Sequence, residues 1–122
     1  MKKENHPVLD KALQTASDRM FPDELGQAVI RINSRDANGD TPMHVFIWGG
    51  ETDNALLLIE NGADINAIGD MGETPLHAAL HQRNHLVINA LLKANARTDI
   101  VSEFGKSAVD LAKEIGVRLH VK

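Results

Sequence analysis

The chain has 122 residues, a net charge of −4, 43% hydrophobic residues and no cysteine. That length suits one domain with a continuous core, and the lack of cysteine excludes a disulfide framework and thiol chemistry. Neither a secretory apolar segment nor a run of transmembrane length is present, so the expected setting is the cytoplasm, with no membrane association.

From the N-terminus, His6-Pro7 opens a helix to about Arg19, with Val8, Leu9, Ala12, Leu13 and Ala16 on one face. Pro22 starts a second helix whose positive end suits Asp23 and Glu24. Residues 1–35 thus read as a degenerate capping unit. Beyond them the chain repeats itself. Thr41-Pro42-Met43-His44 returns 33 residues later as Thr74-Pro75-Leu76-His77, a period that signals a repeat array. Gly39 and Gly72, Leu58 and Leu91, and Ala63 and Ala96 keep the same register, and Ile32-Asn33 precedes Ile65-Asn66 by the same offset. A further step lands on Gly105-Lys106-Ser107-Ala108-Val109, with Ser for Thr and Ala for Pro.

The residue types fit one local structure. Gly39, Gly72 and Gly105 suit a tight turn with positive φ. Thr41 and Thr74 suit the N-cap, and Pro42 and Pro75 the first helical position. Ala78, Ala79 and Leu80 make a slim inner helix. Outer helices follow at about 52–61 and 85–94. In the second, Leu86, Val87, Leu91 and Leu92 mark the apolar stripe. In the first, Asn54 stands where that stripe expects an apolar residue and Leu56 where it expects a polar one, which implies a rotated helix or an unusual outer surface. Gly50 and Gly116 are natural helix stops; the equivalent place in the second repeat holds Arg83, followed by Asn84. The last inner helix ends near Ile115. The six residues from Val117 are too few for a full outer helix and are expected to form a turn or two docked on the preceding unit.

With these residues in view the chain resembles the ankyrin-repeat family. That family's pattern is a Gly, one variable residue, Thr-Pro-Leu-His, a small-residue helix, a second helix ending in Leu-Leu, then Gly-Ala-Asp-x-Asn. Asn61-Gly62-Ala63-Asp64-Ile65-Asn66-Ala67 is close to its last part. The resemblance covers 36–116. It implies an all-α solenoid of stacked helix-turn-helix units with β-hairpin-like turns. Two clear repeats, 36–68 and 69–101, would lie between capping units at 1–35 and 102–122 in a single domain, 1–122. It further implies that His44 and His77 hydrogen-bond between neighbouring repeats. The implied role is protein binding through hairpin tips and the exposed face of the inner helices.

Three other motifs fail on spacing. Gly105-Lys106-Ser107 resembles the end of a phosphate loop, but the required earlier glycine is Ile100. Asp36-x-Asn38-x-Asp40 resembles the start of a calcium loop, but the loop glycine falls on Thr41 and the final Glu on Ile47. His77 and His81 have zinc-like spacing, yet no third ligand beyond His85 is evident. No nucleophile elbow or dinucleotide fingerprint appears. The expectation is therefore no enzyme activity, no catalytic residue, no metal and no cofactor.

The candidate protein-binding residues are Asn38, Asp40, Asp70, Met71, Glu73, Glu103 and Phe104 at the tips, and Trp48, His81 and Gln82 on the inner helices. Trp48 is the only tryptophan. Met71 and Phe104 fall one repeat apart, immediately before the turn glycine, where an exposed apolar residue invites a functional reason. From Asp36 to Gln82 there is no Lys or Arg. Such a stretch repels nucleic acid and steers a basic protein. The expected function is a monomeric, non-catalytic binding module for a basic protein partner, in the manner of an inhibitor or immunity protein. The alternative is a self-associating assembly protein, using Leu119 and Val121 beside the incomplete last unit.

Overall fold

A computed structural model of the chain describes residues 7–21 and 30–119. Regular structure there consists of α1 (Pro7–Met20), α2 (Pro42–Trp48), α3 (Thr52–Glu60), α4 (Pro75–His81), α5 (His85–Lys93) and α6 (Ala108–Ile115), with one 3-10 turn at Asp70–Gly72. No strand occurs among the described residues. The architecture is the all-α repeat solenoid. The helix expected from Pro22, with Asp23 and Glu24, lies outside the described residues, as do His6 and Val121.

The inner helices α2, α4 and α6 begin alike because their caps are alike. Thr41, Thr74 and Ser107 each accept from the backbone N–H three residues on, and the side chains of His44, His77 and Asp110 bond back to the cap N–H. This reciprocal arrangement satisfies two orphan donors at each start. α2 packs on α4 and α4 on α6, with α3 and α5 forming an outer layer and α1 seated on α2 and α3. Ala78, Ala79 and Leu80 are fully buried between their neighbours, as their small volumes allow.

The outer helices correct two expectations. In α5 the buried arc is Val87, Ile88 and Leu91, whereas Leu86 is 67% exposed. At 3.6 residues per turn Leu86 lies about 150° from the centre of that arc. Val8 in α1 is likewise exposed, on the flank of the arc formed by Ala12, Ala16 and Met20. α3 is not rotated: Ala55 and Leu58 are buried where Ile88 and Leu91 are one period later. Asn54 takes its half-buried place by hydrogen-bonding Glu51.

Between units the chain makes the same turn three times. The N–H groups of Asp36, Gly69 and Ser102 donate to the carbonyls of Asp40, Glu73 and Lys106 at 2.8–2.9 Å, and Gly39, Gly72 and Gly105 close the inner loop with φ of +89°, +72° and +78°. Neighbouring units are then stitched at fixed offsets. His44 Nδ1 accepts from the Thr41 N–H at 3.2 Å, so its Nε2–H donates to the Glu73 carbonyl at 3.0 Å. His77 repeats this with the Thr74 N–H and the Lys106 carbonyl. The side-chain oxygens of Asn33 and Asn66 accept from the N–H groups of Asp64 and Arg97, both at 2.8 Å. Arg83, at the place of Gly50 and Gly116, adopts the same left-handed backbone with φ +52° and reaches the Ile115 carbonyl at 3.0 Å.

After Gly116 the expected helical turn is absent through residue 119. The Val117 N–H closes on the Ala112 carbonyl at 2.8 Å, and Val117 and Leu119 pack half-buried against the core outside any helix. The left-handed Gly116 turns the chain across the last helix, so these side chains reach the core without a second helix.

Candidate protein-binding face

Positions 48, 81 and 114 are equivalent in successive units, so the inner helices carry Trp48, His81 and Glu114 as a ladder at their C-terminal ends. Trp48 ends α2. It stacks on His81 with ring centroids 5.6 Å apart and planes 24° from parallel, and it remains 40% exposed. His81 is held on its other side by Glu73, whose Oε2 accepts from His81 Nε2 at 3.0 Å. Gln82 is exposed beside them as the last residue capping α4.

The turns place the remaining candidates. Asn38, Asp70, Met71, Glu103 and Phe104 are all exposed at the tips. Phe104 is 59% exposed and its N–H is held by Ser102 Oγ at 3.2 Å. Met71 has φ +59°, an uncommon conformation for a residue with a side chain. Its carbonyl accepts from the Glu103 N–H at 3.0 Å, which ties one tip to the next. Asp40 is less available than a free tip residue, because its carboxylate accepts from the Asp70 N–H at 2.9 Å. Glu73 is not on the outer surface. It is 6% exposed, drawn inward by His81.

Ile68 and Val101 were missed in sequence. Both are exposed, one repeat apart, on the segments leading into the turns. Their signal was available: they stand one period and two periods after Arg35, whose guanidinium bonds the Ile68 carbonyl at 2.6 Å. Of the large apolar side chains exposed in the described residues, only Val8 and Leu86 lie elsewhere; Trp48, Ile68, Met71, Val101 and Phe104 all lie on the turns or at an inner-helix end.

The acidic stretch is not one patch. Asp36 holds the N–H groups of Asn38 and Asp40, and Asp64 holds that of Asn66. Asp40 and Glu73 are engaged as above, and Glu51 pairs with Arg19. Asp53 and Glu60 are exposed on outer helix α3, and Asp70 at a tip. The calcium-like Asp36-x-Asn38-x-Asp40 spacing is therefore a turn in which a carboxylate caps backbone donors. Likewise both ring nitrogens of His77 are engaged, which leaves it no lone pair for a metal.

Between α4, α6 and the third turn lies a cleft of ≈ 220 Å³, lined by Glu73, His77, His81, Ser102, Phe104, Lys106, Leu111 and Glu114. Lys106 and Glu114 form an ion pair across its rim. No helix of the described residues is long and apolar enough to cross a membrane.

A family model for ankyrin repeats, in three copies, matches residues 9–104. The chain belongs to the ankyrin-repeat family. The match begins inside α1, at residue 9. Among known proteins, this ankyrin-repeat chain is 33% identical to neurogenic locus notch homolog protein 1 of Xenopus tropicalis over 106 residues, which are 85% of the chain but 4% of that protein. It is 39% identical over 88 residues to a putative ankyrin repeat protein of Rickettsia bellii, covering 68% of the chain and 37% of that protein. It is 30% identical over 81 residues to ankyrin repeat domain-containing protein 37 of Xenopus tropicalis, covering 66% of the chain and 50% of that protein. The chain thus spans half or less of these relatives. Ankyrin repeats are in general protein–protein interaction modules, and the family is typically non-catalytic.

Proposed function

We propose that this chain binds a protein partner through the face made by its turns and the C-terminal ends of its inner helices, without catalysing a reaction. The observation that carries the reading is the clustering of Trp48, Ile68, Met71, Val101 and Phe104 on that face. Large apolar and aromatic side chains held exposed on a rigid frame are the usual anchors of an interface. Because successive units are tied by side chain to backbone bonds, the face is preorganised, which lowers the ordering lost on binding.

The partner we propose is a protein with a basic surface, masked in one-to-one fashion by a monomeric inhibitor-type module. The net charge of −4 and the exposed Asp53, Glu60 and Asp70 support attraction of such a partner over distance. Leu119, one of the two residues on which self-association would rest, is partly buried against the core. The test is affinity capture from the native host with wild type beside a Trp48→Ala, Met71→Ala, Phe104→Ala variant. The reading requires a protein retained by the first and lost by the second. Retention of that protein by both would move the interface elsewhere.

A further inference from the structure

The floor of the ≈ 220 Å³ cleft is an unusual place for a carboxylate. Glu73 is 6% exposed and has one oxygen on His81. Its other oxygen has no partner among the described residues, yet no side-chain oxygen there is both sealed in and unpaired. Oε1 is therefore open to the cleft. A carboxylate this buried, with half its acceptor capacity unused, is unfavourable until a donor reaches it. The groups around it decide which donor. Lys106 is tied to Glu114, so the rim cation is already paired, and the one basic side chain on Glu73 is His81, an ion-pair partner only when its imidazole is protonated. Phe104 presents an exposed ring at one wall and Leu111 an apolar surface behind it. His81 is kept from swinging across the opening by its stack on Trp48.

From this juxtaposition we infer that the cleft seats one arginine side chain of the partner protein. This rests on the protein-binding reading and names the chemistry it selects. A guanidinium is planar and weakly hydrated. It stacks on an aromatic face while donating to a carboxylate, and it sheds water more readily than an ammonium does. The cleft supplies both surfaces, in Phe104 and Glu73.

The test uses the whole chain and N-acetyl-arginine methylamide as the probe, titrated at pH 8, above the ordinary imidazole range, and followed by heteronuclear NMR. Saturable shifts are expected at Glu73, His81, Phe104 and Glu114. The lysine analogue should bind more weakly, and the neutral isostere citrulline should leave these signals in place. Glu73→Gln keeps the shape and the acceptor for His81, and should weaken arginine binding about tenfold or more, as loss of a charged hydrogen-bond partner requires. Phe104→Ala, at an exposed position that folding does not need, should weaken it as well. Equal shifts from citrulline and arginine would overturn the assignment, as would arginine shifts confined to Asp53 and Glu60 on α3. An empty cleft beside a partner still lost by the triple-alanine variant would refute the arginine seat alone and leave the binding face standing.

Discussion

Replacing His77 with alanine tests the bond that joins units. His77 is buried, with Nδ1 accepting from the Thr74 N–H at 3.1 Å and Nε2 donating to the Lys106 carbonyl at 3.0 Å. Alanine leaves both backbone groups unpaired. Each stranded group costs about 1–3 kcal/mol when dry. Lys106 is only half-buried, so water recovers part of its share. A total of about 2–4 kcal/mol follows from that range. For a chain of this size, with about 6–18 kcal/mol of stability in all, it is a large fraction. The midpoint of thermal unfolding should fall by about 10 °C. Because a solenoid's stability is a sum of units and interfaces, hydrogen exchange should speed first in α6, beyond the broken tie, and last in α2. His85→Ala, at an exposed histidine starting α5, is the comparison and should change stability by no more than about 0.5 kcal/mol. Equal melting of the two variants would refute the claim that this side chain couples the units.

Other substitutions and pH probe the same frame. Burial holds the pKa of His44 below its ordinary 6.5, against smaller raising effects of the Glu73 carbonyl and Asp40. The unfolded chain therefore binds the proton first as pH falls. The stability His44 contributes is complete above about pH 6.5 and declines as pH falls from there through the lowered folded value, by at most about 1.4 kcal/mol per unit. Denaturant melts from pH 8 to 5 should show that slope, and His44→Gln should reduce it. Gly69→Ala should be far more damaging than its negative φ suggests. A Cβ there would lie 2.4 Å from the Asp40 carboxylate and 2.9 Å from His44 Nε2, whereas at Gly105 it would meet no neighbouring atom and the cost is only the strain of a side chain at φ +78°, about 1–2 kcal/mol. Thermal melts should rank Gly69→Ala below Gly105→Ala, and the reverse order would contradict the packing. Arg83→Gly should stabilise by up to about 1 kcal/mol by relieving a left-handed conformation, the lost bond to Ile115 being exposed and weak. A lower melting temperature would show that bond to matter more than the backbone.

Much of the frame was legible because it repeats. Thr41, Thr74 and Ser107 could be read as caps, and the turn glycines as left-handed, from residue type and register alone. The limits of the outer helices also came close, since their ends are marked by turn residues. What was not legible depends on neighbours in space. Leu86 looked like core, because its type fits the stripe while its angle does not. Glu73 looked like a tip residue until His81, eight positions on, was seen to draw it inward. The stack of Trp48 on His81 follows from the 33-residue offset, yet only packing decides that the rings meet rather than turn away. Gly69 gave no sign at all, since what forbids a side chain there is the crossing of Asp40 and His44 from the preceding unit.

The proposed binding face is made by the turns and the inner-helix ends. Hydrogen–deuterium exchange of the chain with and without a captured partner tests it most directly. New protection is expected at residues 68–73 and 101–106 and at the C-terminal ends of α2 and α4, with α3 and α5 unchanged. Protection confined to α3 and α5, on the outer layer, would contradict it.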